Sequence, residues 1–311
     1  MYALRNARRF VATRQSIFMS PLALSLVLAA ALLHAGWNIV AKKAAGSSPF
    51  VLLTALFVAL VWSPVGAWFA WGVLPRWGWF EWGLLLGSGL THLTYFNVLL
   101  RGYRLSDLTV VYPVARGTGP LISSFGALLL LGERMGPFGV GGLLAVTGGV
   151  FLIAGGPALW AKAHDQAHAE RIRLGLGYGL ATGALIAGYT LIDGYAVKVA
   201  LISPILVDYF GNLLRIPFML RSALRNRSDC LLAWQQQWRH ALLVAVISPL
   251  AYVMVLYAVA LAPLSHVAPA REVSMLFAAI LGGRLLGEGD RGWRIAGAAC
   301  IAAGVAGLAL G

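Results

Sequence analysis

Residues 105–134 read LSDLTVVYPVARGTGPLISSFGALLLLGER, an apolar stretch interrupted near its middle by prolines, glycines and one arginine, Arg116. The pattern returns in the second half of the chain, where Arg271 again follows an alanine and LLGE recurs at 285–288. The arginine and the glutamate of the motif are displaced by the same number of residues between the two copies, since 271 − 116 = 155 and 288 − 133 = 155. This offset is about half of the 311 residues. Such a repeat, with an arginine inside each apolar copy, is typical of a duplicated helical membrane protein with a shared central site.

The composition places the chain in a membrane. Hydrophobic residues make up 59% and charged residues 11% of it, with a mean hydropathy of +0.79, whereas soluble proteins carry about 25% charged residues. The net charge of +13 lies mainly in short connections between apolar runs, where it meets anionic lipid headgroups. We therefore expect the lipid bilayer as a partner and no nucleic acid. Cys230 and Cys300 have no metal or redox spacing, and no cofactor is expected.

Ten apolar stretches approach the length needed to cross the membrane, which takes about 20 helical residues. They cover residues 21–41, 50–71, 82–100, 107–131, 138–156, 174–195, 204–220, 240–262, 265–286 and 293–310. We predict an all-α polytopic membrane protein with ten transmembrane helices. Its parts are a basic tail (1–20), a first five-helix repeat (21–156), a hydrophilic linker (157–173) and a second five-helix repeat (174–311).

The two halves are predicted to be inverted repeats. The first helix carries AGWN at 35–38 and the sixth carries the similar AGYT at 187–190. Because five is an odd number, the second half enters the membrane from the opposite side. In carriers this arrangement places the substrate near the midplane, where the halves meet.

The N-terminal tail, with four arginines, resembles the start of a signal peptide. The first apolar stretch is long enough to span and nine more follow it, so we expect a retained helix, with Met19 as an alternative start. Basic residues are more numerous on the face opposite the termini, and the positive-inside rule therefore predicts that the termini lie outside.

The chain resembles the ten-helix, EamA-type family of the drug/metabolite transporter superfamily. The resemblance rests on His34-Ala35-Gly36-Trp37-Asn38 followed by Lys42-Lys43, and on the Gly-Glu that ends the fourth and ninth helices. It covers nearly everything from Pro21 onward. The second copy departs from the pattern, with Gly289 where the first copy has Arg134.

The resemblance implies a carrier of small polar or amphipathic metabolites in the bacterial inner membrane, commonly an exporter of amino acids or related compounds. It also implies a cavity lined by helices one, three, four, six, eight and nine. Members of the family usually keep both termini in the cytoplasm, which conflicts with the distribution of basic residues. Monomer and homodimer both remain open, as do substrate and direction.

Arg116 and Arg271 are the main candidates for substrate binding. Each lies well inside an apolar span, where an ionised side chain costs about 2.5–3.5 kcal/mol and needs a partner, water or a ligand. Two guanidinium groups aimed at one cavity suit a carboxylate or phosphonate. In the alternative interpretation, Arg116 pairs internally with Glu272. Glu272 is also a candidate proton carrier, which leaves proton coupling open.

Polar and aromatic residues within other spans are candidates for the rest of the cavity wall. They are His34, Trp37 and Asn38 in the first helix, His92 and Tyr95 in the third and Tyr189 in the sixth. Each also has a purely structural interpretation: Asn38 can bond a neighbouring helix, and Tyr95 or a carbonyl can satisfy His92.

No catalytic or metal-binding motif is recognisable in the sequence, and no enzyme activity is predicted. Two alternatives to a metabolite carrier remain. One is a flippase for a lipid-linked or amphipathic molecule, and the other is a non-transporting receptor or assembly subunit.

Overall fold

The computed structural model describes residues 18–44, 48–106, 108–153, 166–225, 227–282 and 291–311. The tail at 1–17, most of the predicted linker and the second LLGE motif at 285–288 lie outside the described residues. Regular structure in the described part is helical, as predicted, with a 3₁₀ turn at Leu74–Arg76. The helices are α1 (Pro21–Lys43), α2 (Ser48–Val61), α3 (Ser63–Ala70), α4 (Trp79–Leu105), α5 (Leu108–Leu130), α6 (Pro137–Ile153), α7 (Gln166–Lys198), α8 (Pro204–Arg225), α9 (Arg227–Leu261), α10 (Leu264–Ala270), α11 (Val273–Gly282) and α12 (Arg291–Leu310).

Several helices have the length and apolar composition of membrane spans. In the part of the chain that the structure describes, five meet both conditions: α1, α4, α7, α9 and α12. A sixth span is formed if α2 and α3, which meet at a bend of 55°, cross together. The protein is therefore a multi-pass helical membrane protein. The charged residues within α5, α8 and the turn between α10 and α11 lower the hydropathy of those segments.

The helix is broken beside Arg271 but not beside Arg116. Helix α5 continues through Pro113 and Pro120, whereas α10 ends at Ala270 and α11 begins at Val273. Proline lacks an N–H and its ring crowds the carbonyl four residues earlier. For Pro269 that carbonyl belongs to Ser265, and it accepts a hydrogen bond of 2.8 Å from Ser124 Oγ of α5. The break therefore leaves Arg271 and Glu272 in a turn packed against α5.

Glycines allow two of the helix pairs to touch backbone to backbone. On α6 and α12, a Cβ at Gly149 would lie 2.6 Å from the carbonyl oxygen of Gly297, and one at Gly304 would lie 2.7 Å from that of Gly142. On α4 and α8, a Cβ at Gly89 would lie 2.8 Å from the carbonyl oxygen of Gly211. Small residues at helix interfaces are a general means of close packing in membranes, where water does not drive helices together.

The two ends of the helix bundle differ in charge. Ser106 Oγ, after α4, donates to the carbonyl of Arg171 in α7 at 2.7 Å, and a cleft brings Asn97, Ala223 and Cys230 together at the same end. This end, called the basic end, carries Lys43, Arg101, Arg104, Arg171, Arg173, Arg221, Arg225, Arg227 and Arg239. The opposite end carries Arg76, Arg134 and Lys198 among its described basic residues.

Exposed tryptophans mark both ends of the apolar belt. Trp71 and Trp79 are 89% and 95% exposed at the opposite end. Trp234, Trp238 and Trp293 are partly exposed at the basic end. Tryptophan is enriched at membrane interfaces because its ring is apolar and its N–H needs a polar partner. Between these two groups of tryptophans, exposed leucines and phenylalanines such as Phe125 and Leu129 form a surface suited to lipid.

Candidate functional site

The candidate site is centred on Glu272, which lies between the two arginines that the sequence singled out. Its Oε2 is 3.1 Å from Arg116 Nε of α5, and its Oε1 is 3.8 Å from Arg271 Nε in the turn after α10. The Glu272 side chain is 1% exposed, while the two arginine side chains are 14% and 12% exposed. Both guanidinium groups of the repeat thus lie next to one carboxylate. The internal pair of Arg116 with Glu272, which the sequence offered as an alternative, is one of these two contacts.

The two guanidinium groups retain hydrogen-bond donors. Arg116 Nη2 donates to Ser274 Oγ at 3.3 Å, and Arg271 Nη2 donates to Tyr189 OH at 3.4 Å. Within the described residues, neither oxygen of Glu272 accepts a well-aligned hydrogen bond, so both ion pairs are close contacts between charges. A guanidinium carries five N–H groups. The cluster therefore has one excess positive charge and several donors available to a ligand.

An aromatic wall lies beside Arg271. The Tyr189 ring stacks on His92 with centroids 3.8 Å apart and meets Tyr95 edge-on at 5.8 Å. The Arg271 guanidinium lies 5.9 Å from the Tyr189 ring centre. His92 Nδ1 is 3.0 Å from the carbonyl of Ser88, and a carbonyl can only accept, so Nδ1 carries the hydrogen. Three of the predicted residues thus form one surface next to the ion cluster.

The predicted residues of α1 are less closely connected to the cluster. His34 and Trp37 meet edge-on with centroids 4.8 Å apart, and His34 is near enough to Arg116 and Arg271 to be influenced by both charges. The Asn38 amide donates to the carbonyl of His34 at 2.7 Å, and the Asn38 side chain is exposed. Asn38 therefore bonds within its own helix and makes no described contact with the ion cluster.

The sequence interpretation missed Asp193 of α7, which is 1% exposed. Its Oδ2 accepts a short hydrogen bond from Tyr252 OH of α9, and Tyr252 in turn meets the His92 ring edge-on at 5.8 Å. A carboxylate inside the apolar stretch 174–195 was a signal that could have found it, because ionisable residues within spans are rare and usually functional. The spacing to Tyr189, four residues earlier, places both on one helix face.

The polar residues of α8 form a stripe along one face of the helix. The Asn212 amide donates to Asp208 Oδ1 at 3.2 Å and to the Asp208 carbonyl at 2.9 Å. Arg215 Nη2 donates a short hydrogen bond to Asn212 Oδ1. Asn212 thus connects the acid to the base along one face of the helix, and Arg215 Nε is buried with no hydrogen-bond partner among the described residues.

Glu133, from the first LLGE motif, holds the start of α10 at the end opposite the basic end. Its Oε1 accepts from Lys198 Nζ and from the backbone N–H of Leu264, and its Oε2 accepts from the N–H of Ser265, each at 2.8 Å. Burial acts to raise the pKa of Glu133, but Lys198 and the two amides outweigh it and hold the pKa below its ordinary value of 4.5. Glu133 thus caps the first amides of α10 and pairs with Lys198, a partner that the sequence did not indicate.

Comparison with known proteins shows a fold shared with a solved structure. No protein-family model matches the chain, and no curated protein matches it. One solved chain, described as a crystal structure of a protein, covers 93% of this chain and 97% of its own length, with a TM-score of 0.71 and 16% identity. The two chains therefore have the same overall architecture. At that identity the likeness shows the fold alone.

Proposed function

We propose that the protein is a secondary transporter of a small anionic or amphipathic metabolite, such as a carboxylate or phosphonate, working by alternating access. The observation that carries the proposal is the pair of buried arginines that share one carboxylate and keep unfilled donors. Burying a guanidinium in the membrane is costly, and a single internal counter-ion for two of them leaves a site with net positive charge. A monoanion with two oxygens completes both the charge and the hydrogen bonds.

The architecture that we propose is ten spans in two inverted five-helix repeats, of the drug/metabolite transporter type. The repeat offset of 155 residues makes Gly297 the counterpart of Gly142 and Gly304 the counterpart of Gly149. The contact of Gly142 with Gly304 and the contact of Gly149 with Gly297 are therefore equivalent in the two halves. The helix pairs across the halves are matched in the same way: α5 on α7 corresponds to α11 on α1, and α4 on α7 corresponds to α9 on α1. This pseudo-symmetry supports a binding site where the halves meet.

The proposed substrate has an apolar or aromatic part as well as an anionic group. Tyr189 and Tyr95 lie next to Arg271, and Tyr112 lies 5.9 Å from the Arg116 guanidinium. Flat aromatic surfaces beside a cation suit a planar or amphipathic molecule. Export across a bacterial inner membrane is the setting that fits the resemblance stated above, and either a monomer or a homodimer accommodates the site.

Ligand screening followed by transport measurement tests the proposal. Carboxylates and phosphonates are screened for thermal stabilisation of the purified protein, because a ligand that binds only the folded state raises its apparent stability. Transport of a stabilising compound is then measured in proteoliposomes. Arg116→Ala is expected to abolish transport while the protein remains folded and inserted. Arg104→Ala, at the exposed end of α4, is the matched control. Normal transport by Arg116→Ala refutes the assignment.

A flippase for an amphipathic molecule is the second candidate. A cleft of about 290 Å³ between α2, α4 and α8 combines apolar residues such as Leu93 and Phe218 with polar residues such as Asn97. Such a lining fits a molecule with a polar head and an apolar tail. If this function is correct, Leu93→Trp blocks the movement of a fluorescent phospholipid between leaflets of proteoliposomes and Arg116→Ala does not. Absence of phospholipid movement by the wild type favours the metabolite carrier.

A further inference from the structure

Asp193 is a buried carboxylate that the proposed anion site does not use. It is 1% exposed, its Oδ2 accepts the Tyr252 hydroxyl, and its Oδ1 has no hydrogen-bond partner among the described residues. No arginine or lysine in the described part of the chain forms an ion pair with it. An ionised carboxylate in that position depends on more distant positive charge.

The charges of the described bundle interior balance only when Asp193 is counted. The positive groups are Arg116, Arg215 and Arg271, and the negative groups are Asp193, Asp208 and Glu272. Asp208 is linked to Arg215 through Asn212, and Glu272 lies between the other two arginines. The single positive charge in excess at the ion cluster is therefore the counterpart of the single negative charge on Asp193.

Tyr252 connects these two charges in space. It donates to Asp193 on one side, and with Arg271 and Thr190 it lines a small cavity on the other. Thr190 Oγ1 is buried there and has no partner among the described residues, while valines, leucines and an alanine form most of the cavity wall. The Arg271 charge is thus close enough to act on Asp193, and Tyr252 borders both groups.

We propose that Asp193 takes up one proton when an anion binds to Arg116 and Arg271, so that the carrier moves the anion and the proton together. The inference rests on the proposed function, because it needs an anion at the arginines. The bound anion cancels the excess positive charge that balances Asp193. The proton comes from the aqueous phase, adds to the Asp193 carboxylate and leaves when the anion leaves, so the net charge of the interior is the same before and after binding.

The groups that face Asp193 from the surrounding helices favour this response. Ser88 faces it from α4 and Tyr252 faces it from α9, and the neutral His92 ring lies behind Tyr252. Arg271 is the cation that acts on it, and Asp208 of α8 adds a charge of the same sign. Once the anion has neutralised Arg271, the remaining neighbours are neutral or negative. An ionised Asp193 then lacks compensation, and protonation removes the unfavourable charge.

Removing one arginine charge imitates the bound anion and tests the coupling without a ligand. In Arg271→Gln, the infrared spectrum is expected to gain the C=O band of a protonated carboxyl group. The band is expected to vanish in Arg271→Gln/Asp193→Asn and to persist in Arg271→Gln/Asp208→Asn, the matched control. Arg116→Gln removes the same charge from α5 and serves if Arg271→Gln does not fold. Absence of the band in both arginine variants, or its persistence without Asp193, overturns the inference.

Binding of benzoate and methylphosphonate at several pH values separates this inference from the proposed function. For the wild type, the affinity is expected to fall about tenfold for each rise of one pH unit, because one proton binds with each anion. Asp193→Asn is expected to bind the probe with no such dependence. If the wild type binds the probe with the same affinity at every pH, proton uptake is refuted and the proposed anion site stands. If neither probe binds, the proposed anion site fails, and the infrared test still decides the coupling.

Discussion

Glu272 keeps two buried guanidinium groups together, and it does so with ion pairs that lack aligned hydrogen bonds. The carboxylate supplies the negative charge that two buried cations require, and its incomplete hydrogen bonding leaves Nε of both arginines without a partner among the described residues. Loss of this carboxylate therefore affects the stability and the ligand preference of the protein together.

Glu272→Gln is expected to lower the free energy of unfolding by about 3–5 kcal/mol, because it leaves two buried cations without a counter-ion. Added sulfate is expected to restore part of the loss by binding between Arg116 and Arg271. Thermal unfolding with and without sulfate measures both effects. Glu170→Gln, in the exposed first part of α7, is the control. Its unfolding temperature should equal that of the wild type both with and without sulfate. Equal stability of Glu272→Gln and the wild type contradicts the assigned role.

At the scale of helices and turns, the sequence predicted the helical structure and the spans formed by α1, α4, α7, α9 and α12, because these depend on local length and composition. Prolines lie near both arginines in the sequence, but α5 is continuous and only the Pro269 segment is broken. The sequence could not show that Ser124 of α5 satisfies the freed carbonyl. The pairing of Lys198 with Glu133, and of Tyr252 with Asp193, likewise depends on which helices become neighbours. Spacing within one helix identifies a face but not what packs against it.

Glu133 is expected to make the attachment of α10 sensitive to acid. Its pKa is lower in the folded protein than its ordinary value of 4.5. The stabilisation it gives is therefore fully present above that value and is lost as the pH falls through the lower, folded pKa. Thermal unfolding of the wild type across this range should show a decline that is reduced in Glu133→Gln. A variant with the same acid sensitivity as the wild type would show that another group is responsible.

The α6–α12 contact is expected to tolerate no side chain at its crossing points. Gly149→Ala places a methyl group 2.6 Å from a carbonyl oxygen, and overpacking of this kind costs about 1–3 kcal/mol. Gly148→Ala is the matched control, because its Cβ has nothing within 4 Å. Thermal unfolding of the two variants in detergent decides the matter. A stable Gly149→Ala would mean that the two helices are less tightly packed than described.

For the whole molecule, the unequal distribution of charge between its two ends favours one orientation. Within the described residues, the basic end carries at least nine basic residues, and the opposite end carries Arg76, Arg134 and Lys198. Basic residues between spans are retained in the cytoplasm. The start of α1 lies at the opposite end, because Ala44, at the other end of this helix, belongs to one cluster with Phe50 at the start of α2 and Ala241 in the first half of α9, and both of those helices begin at the basic end. The positive-inside rule therefore puts the N-terminal end of α1 outside the cytoplasm, contrary to the usual arrangement in the family that the sequence resembles.

Labelling of a single cysteine tests this orientation. In Cys300→Ala, the remaining Cys230 lies at the basic end in the cleft near Asn97. A membrane-impermeant maleimide is expected to modify it in inside-out vesicles and not in intact cells. Pro75→Cys, in a chain without the native cysteines, marks the exposed opposite end and should give the reverse pattern. Labelling of Cys230 in intact cells would place the basic end outside.

The glycine contacts between α6 and α12 also limit how the protein can move. Where backbone lies against backbone, sliding one helix along the other would drive methylene and carbonyl groups into one another. Rotation about the crossing points leaves those contacts in place. The contact between α6 and α12 thus acts as a pivot between the two halves. In the transport cycle that we propose, a substrate bound to Arg116 and Arg271 stays at a constant depth while the helices tilt around it.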